Sequence, residues 1–253
     1  SICYRTVMTK ILGLIGQYLI LMSKVFQRPV KRSILYRQTI TEIDKLGLDS
    51  IGIVLIISGF MGAVVALQMV INLEAAYIPK YLIGYATRES LLLEFSSTIV
   101  ALILCGKVGS NIASEIGTMR ITEQIDALEI MGINSANYLI LPKVIAAVFF
   151  FPFLTILSMF VGVLGGYLVT FTVSNITPDD YITGILFSFE SDRIVYALLK
   201  MVIFAFIITS VSSFYGYYAK DNTLEVGRAN TKAVVSSIIA VLIFNLIITK
   251  LYF

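Results

Sequence analysis

Residues 51–73 read IGIVLIISGFMGAVVALQMVINL, 23 positions without a charged side chain. At 1.5 Å per residue the run makes about 35 Å of helix, more than the roughly 30 Å of a bilayer's hydrocarbon. The rest of the chain repeats the pattern: residues 95–114 are interrupted only by Lys107, residues 144–178 carry no charge, and residues 201–219 and 233–249 are again apolar. With 58% hydrophobic residues, 14% charged residues and a mean hydropathy of +0.90, the chain has lipid as the solvent for most of its length. The fold class these runs predict is an all-α integral membrane protein with about five transmembrane helices. No linker or low-complexity tract divides residues 1–253, so one membrane domain is expected, with an interfacial region over 1–48 and the bundle over 51–253.

The apolar run 11–23, ILGLIGQYLILMS, is too short to cross and is hemmed by Lys10 and Lys24. A signal-peptide core has this look, but no small-x-small cleavage site follows it. The basic stretch FQRPVKRSILYRQ (26–38) comes next, which favours an interfacial elbow helix whose cations reach lipid phosphates. Orientation follows from the cations. With the N-terminus in the cytoplasm, 14 of the 19 Lys and Arg residues fall on the cytoplasmic side, leaving Lys80, Arg88, Arg193, Lys200 and Lys250 opposite. Five spans then put the C-terminus outside.

Several chemistries are poor fits. The chain has no histidine, its two cysteines, Cys3 and Cys105, are far apart, and no nucleophile, base and orienting group stand together, so neither an enzyme nor a metal site is expected. A net charge of +3, with the cations scattered, does not describe a nucleic-acid binder. Gly106-Lys107 lacks both the earlier glycine and the following Ser/Thr of a phosphate loop. Nucleotide, if used, belongs to another chain.

One stretch breaks the apolar pattern. Residues 115–133, EIGTMRITEQIDALEIMGI, lie between the second and third spans, on the cytoplasmic side of the expected topology. Ile116, Met119, Ile125 and Leu128 read as an apolar side and Glu115, Glu123, Asp126 and Glu129 as an acidic one. The inner leaflet is itself negative, so the acidic side suits a protein partner; a plain solvated loop helix fits the pattern too. A second loop, DNTLEVGRANTKAVV (221–235), brings Glu225, Gly227, Arg228 and Lys232 between the last two spans.

Taken with their neighbours, these segments carry a resemblance. GKVGSNIASEIGTMRITEQIDALEIMGIN, LPKVIAA, LEVGRANTKAVV and FMGAVVALQ (60–68) resemble, in order and spacing from about residue 50 to the end, the signature regions of the MlaE/YrbE family of ABC-transporter permeases. The resemblance implies a homodimer in the inner membrane of a Gram-negative bacterium, bound to cytoplasmic ATPase subunits that hold ATP and Mg and to a periplasmic MCE-domain protein, and moving phospholipid between the inner and outer membranes. It implies no cofactor on this chain beyond bound phospholipid. It makes the 115–131 stretch a coupling helix for the ATPase, carrying Glu115, Arg120, Glu123, Gln124, Asp126 and Glu129, with Glu225 and Arg228 on the second loop. It makes Phe60, Leu67, Gln68 and Ile71 of the first span the lining of an apolar lipid cavity between protomers. Where the family typically carries RELGP, this chain has Leu93, Glu94, Phe95, Ser96 and Ser97, so only the acid is kept.

Glu94 itself reads two ways. It is either a polar point at the cavity mouth meeting headgroups or the MCE partner, or a solvated residue at headgroup level. Lys200 reads as a snorkelling side chain. Gly59, Gly62 and Ala66 with Gly162 and Gly166 give small-xxx-small spacings for close helix contact, inside the chain or between copies, and Pro152 removes one backbone bond from the third span. Apolar mid-span residues suit acyl chains better than an ion-coupled carrier of a small solute. A passive scaffold that anchors partners is the other reading.

Overall fold

Hydrocarbon offers backbone amides no partner, and among the described residues the chain answers with helices alone. The computed structural model describes residues 2–27, 32–74, 79–173, 176–219 and 222–252, with side chains outside 2–11 and 73–74. Arg28, Lys31 and Lys220 of the cation tally, and Ser174 and Asn175 after the third span, lie outside the described residues.

The helices are α1 (Ile2–Val25), α2 (Arg32–Glu42), α3 (Asp49–Glu74), α4 (Tyr81–Ser90), α5 (Val100–Leu104), α6 (Ser110–Ile121), α7 (Gln124–Ile130), α8 (Ser135–Val169), α9 (Pro178–Leu186), α10 (Asp192–Tyr217) and α11 (Thr223–Tyr252). Three π-helical stretches, Ile43–Leu48, Leu91–Ile99 and Cys105–Gly109, join α2 to α3, α4 to α5 and α5 to α6. Among the described residues, five continuous helical runs are long and apolar enough to cross a membrane: Arg32–Asn72, Tyr81–Ile121, Ser135–Val169, Asp192–Tyr217 and Thr223–Tyr252. Each overlaps one of the five apolar runs expected from the sequence, with 95–114 and 233–249 wholly inside and 144–178 running nine residues past the end of α8 at Val169. The helix at the N-terminus, Ile2–Val25, is longer than the apolar run read from the sequence, and the part of it with described side chains, Leu12–Val25, is an apolar helix shorter than a span.

The chain forms two compact units. The first gathers residues 1–46, 105–147 and 206–240. Its core holds Leu21, Val25, Ile112, Ile116, Ile125, Ile140 and Ile208, all fully buried. The last carbonyls of α1 are taken up by amide side chains at the start of α8: Asn134 Nδ2 donates to Lys24 O at 2.9 Å and Asn137 Nδ2 to Val25 O at 2.6 Å. At the same end Lys143 is buried and bridges Glu42 (2.8 Å) and Glu115 (2.6 Å), and Lys45 stands 3.5 Å from Glu115.

The second unit gathers residues 47–104, 148–205 and 241–253. Its tightest contact is glycine on glycine. A Cβ at Gly62 would fall on the Gly162 carbonyl, and one at Gly165 on the Gly59 carbonyl, so α3 and α8 touch backbone to backbone within the chain. The small residues flagged in the sequence thus pack internally, with Gly165 added to them. Ser58 Oγ donates to Ser158 Oγ at 2.7 Å across the same contact. Beyond α8, Thr177 caps α9 through a reciprocal bond with Asp180, with Pro178 in the first turn, so Thr177-Pro178 opens a new helix. Arg88, buried, closes the other end of α9 by donating to the carbonyls of Ile185, Phe187 and Ser188.

The glycine contact sets a test. Gly62→Ala pushes a methyl group into backbone that cannot move aside and is expected to lower stability in detergent by about 1–3 kcal/mol, whereas Gly52→Ala, with nothing within 4 Å, leaves the melting temperature unchanged or higher. Equal melting temperatures for the two variants would remove the close contact as a stability determinant.

Candidate functional site

The charged segment is not the single helix expected over 115–131. α6 stops at Ile121, Thr122 and Glu123 form a turn, and α7 restarts at Gln124. Glu123 adopts a left-handed conformation with φ 58°, which costs a residue bearing a Cβ on the order of 1–2 kcal/mol. The geometry of burial explains the break. At 100° per residue, Ile116 and Ile125 would face opposite sides of a continuous helix, yet both are fully buried. Breaking the helix lets both reach the core. Arg120 Nη1 then donates to Asp126 Oδ1 at 2.8 Å across the turn, and Thr122 Oγ1 bonds back to Thr118 O at 2.8 Å.

The acidic side divides as a result. Glu115 faces Lys143 and Lys45 and is taken up in the ion cluster, so it is not part of a free docking face. Glu129 accepts from Ser135 Oγ (2.9 Å) and from the Tyr217 hydroxyl (3.0 Å) on one oxygen. The Ser135 hydrogen bond, opposed by partial burial and helped by Tyr217, holds its carboxyl below the usual range. Glu123 and Gln124 are exposed. In the second loop Arg228 Nη1 donates to Glu225 Oε1 at 2.7 Å on the first turns of α11. α6 packs directly on that part of α11, since a Cβ at Gly117 would meet Val226 at 3.1 Å and Ile121 rests on Ala219, Val226 and Ala229. Sequence reasoning missed the apolar component of this surface. Ile130 (88% exposed), Met131 and Leu224 stand out from it, and the pair Ile130-Met131 ahead of Gly132 was the available signal.

In the second unit, Phe60, Leu67, Gln68 and Ile71 are all exposed on one stripe of α3 that also carries Ile53, Ile56 and Val64. Phe60 lines an open apolar groove of about 580 Å3 between α3 and α8, with Ile56, Gly59, Ala63, Val161, Leu164 and Leu168. Leu67, Gln68 and Ile71 continue the stripe beyond that groove.

Glu94 belongs to a separate polar cluster. It sits in the Leu91–Ile99 π stretch, and its carboxylate receives Lys200 Nζ at 3.0 Å on both oxygens, Thr98 Oγ1 (3.1 Å) and Asn245 Nδ2 (3.2 Å) on Oε2, and Thr249 Oγ1 (3.1 Å) on Oε1. The Tyr196 hydroxyl pairs with Thr249, and its ring lies 5.3 Å from Lys200 Nζ. The snorkelling role read for Lys200 is therefore overturned: the residue is fully buried, with its ammonium paired inward. Glu94 keeps 41% of its side chain exposed, so the cluster presents one oxygen-rich face outward. The sequence offered two signals for it, a lone lysine in apolar α10 and Asn245, the lone asparagine of the apolar run 233–249.

Two outcomes follow from these geometries. Glu94→Leu strands a fully buried ammonium and is expected to cost about 3–5 kcal/mol, whereas Lys200→Met leaves a half-exposed carboxylate with three other donors and costs less; the double variant recovers most of the loss, read by thermal unfolding. Glu129 has a lowered folded-state value, so its stabilisation is complete above the ordinary carboxylate range and lost as pH falls through that lower value. The gap in melting temperature between the native chain and Glu129→Gln should accordingly shrink on acidification; a constant gap would contradict the assignment.

Comparison with known proteins bears on the family. The family model described as Permease MlaE matches residues 39–251. A probable ABC transporter permease protein of Rickettsia prowazekii (strain Madrid E) is 36% identical over 234 residues, covering 92% of this chain and 88% of its own. The intermembrane phospholipid transport system permease protein MlaE of Haemophilus influenzae is 30% identical over 215 residues, covering 85% of this chain and 82% of its own. Protein TRIGALACTOSYLDIACYLGLYCEROL 1, chloroplastic, of Arabidopsis thaliana is 29% identical over 234 residues, covering 92% of this chain and 67% of its own. A match that runs from α2 to the end of α11, over all five membrane-length helices, places this multi-pass membrane chain in the MlaE permease family.

Proposed function

We propose that the chain is the membrane subunit of an ATP-driven phospholipid transporter, working as one permease domain and as a homodimer in a Gram-negative inner membrane. The observation that carries the reading is the groove on α3 and α8, lined by Leu, Ile, Val, Phe, Ala and Gly with Thr172 as its one polar residue. Such a wall suits acyl chains and offers nothing to an ion or a polar solute. The exposed stripe of Phe60, Leu67, Gln68 and Ile71 extends it, and a second copy facing that stripe would close the groove into a cavity. The name of the Haemophilus relative, an intermembrane phospholipid transport system permease, supports the substrate class.

Energy enters from another chain. Glu123, Gln124, Asp126, Ile130 and Met131 form a mixed charged and apolar surface of the kind an ATPase subunit can grip, with Glu225 and Arg228 beside it, and ATP with Mg would be held by that subunit. α6 is tied to α8 through Glu115 and Lys143, and α7 through Glu129 and Ser135, so movement of the docked segment would reach the third span as a rigid-body shift. In this reading the N-terminus faces the cytoplasm, the C-terminus faces the periplasm, and Glu94 meets lipid headgroups or a periplasmic MCE-domain protein.

The test uses the complex reconstituted in liposomes. Phe60→Asp is expected to lower ATP-dependent transfer of labelled phospholipid at least tenfold while the ATPase subunit still binds. Glu123→Lys, at an exposed position, is expected to lower recovery of the ATPase with the membrane subunit. Unchanged transfer in the first variant would sink the cavity assignment, and unchanged recovery in the second would sink the coupling assignment.

A further inference from the structure

A second groove, of about 560 Å3, lies in the first unit, where α2, the Ile43–Leu48 stretch, α6 and the start of α8 converge. Its chemistry is unlike that of the α3 groove. Charged Arg37, Lys45, Lys143, Glu42 and Glu115 share the lining with the polar groups of Ser33, Gln38, Thr41 and Tyr138. Both carboxylates are engaged by Lys143, at 2.8 and 2.6 Å, and Lys45 stands on the outer side of Glu115 at 3.5 Å. The two lysines therefore neutralise the two acids. The Arg37 carbonyl accepts from Thr41 Oγ1 at 3.2 Å, but its exposed guanidinium has no hydrogen-bond or ion-pair partner among the described residues and leaves the lining with one net positive charge.

That balance narrows the ligand. One uncompensated guanidinium, with a half-exposed ammonium in the same lining, calls for an anion of charge near minus one. The volume is in the range of small organic ligands and larger than a bare ion requires. Ile34, Met119, Leu139 and Pro142 give the groove apolar wall, and α2 carries Tyr36 and Ile40 exposed next to it, so one end of the occupant is apolar. Basic pockets beside transmembrane helices hold anionic headgroups for these reasons.

We propose that this groove binds one anionic phospholipid by its phosphodiester, with Arg37 and Lys45 on the phosphate and the hydroxyls of Ser33, Thr41 and Tyr138 on the rest of the headgroup. The site is separate from the α3 groove and takes its lipid as a fixed ligand. Its occupant would hold α2 against the ion cluster that anchors α6 to α8.

The experiment titrates the full chain in detergent with short-chain phosphatidylglycerol, short-chain phosphatidylcholine and inorganic phosphate, reading the shift in unfolding temperature. The phosphatidylglycerol shift is expected to exceed the other two, and Arg37→Gln is expected to weaken it about fivefold in apparent affinity, with a similar loss for Lys45→Gln. Arg37→Lys restores part of the binding, and Lys80→Gln, an exposed cation in the other unit, leaves it unchanged. Equal shifts with phosphatidylcholine, competition by inorganic phosphate at comparable concentration, or native affinity in Arg37→Gln would each overturn the assignment. Since the readout is binding to this chain alone, loss of transport in the reconstituted complex does not bear on it, and the two readings fail separately.

Discussion

A polar group placed in hydrocarbon has to find its partner within the protein, and this chain is organised around that demand. The backbone meets it with helices, which is why residues 51–73 and their four counterparts fold as they do. Side chains meet it with two buried lysines, one in each unit, each seated against carboxylate: Lys143 between Glu42 and Glu115, and Lys200 on both oxygens of Glu94. A buried ion pair contributes little net stability, because desolvation offsets most of the attraction, but losing one partner is costly. These pairs therefore act mainly as constraints on which helix ends meet.

The remaining adhesion is steric. Gly59, Gly62, Gly162 and Gly165 bring α3 and α8 into backbone contact, where dispersion and weak Cα–H contacts replace a hydrophobic drive that lipid-facing helices lack. One side of α3 is spent on that contact. Its other side, with Phe60, Leu67 and Ile71, is left bare and apolar, and Gly59, at the boundary between the two, both touches α8 and lines the candidate lipid groove.

The spans were legible in the sequence because length and apolarity are local properties that a bilayer imposes directly. The glycine spacings were legible for the same reason, although Gly165 went unread beside Gly162 and Gly166. The partner of Glu94 was not legible: Lys200 stands 106 residues away, and a lone lysine near a span end ordinarily reaches for water. The turn at Glu123 was hidden as well. Neither Thr122 nor Glu123 is a residue that breaks helices by preference, and the break arises from the joint burial of Ile116 and Ile125, a tertiary demand that overrides local propensity.

The separation between Glu94 and Lys200 has a consequence for how the chain is made. A ribosome adding about 5–20 residues per second needs roughly 5–20 s to pass from one to the other, and Asn245 and Thr249 emerge later still. During that interval the second span carries an acid whose permanent counterion has not yet been synthesised. Helix insertion and final assembly are thereby separate events, and a nascent chain stopped before α10 would hold Glu94 with only Thr98 among its eventual side-chain donors.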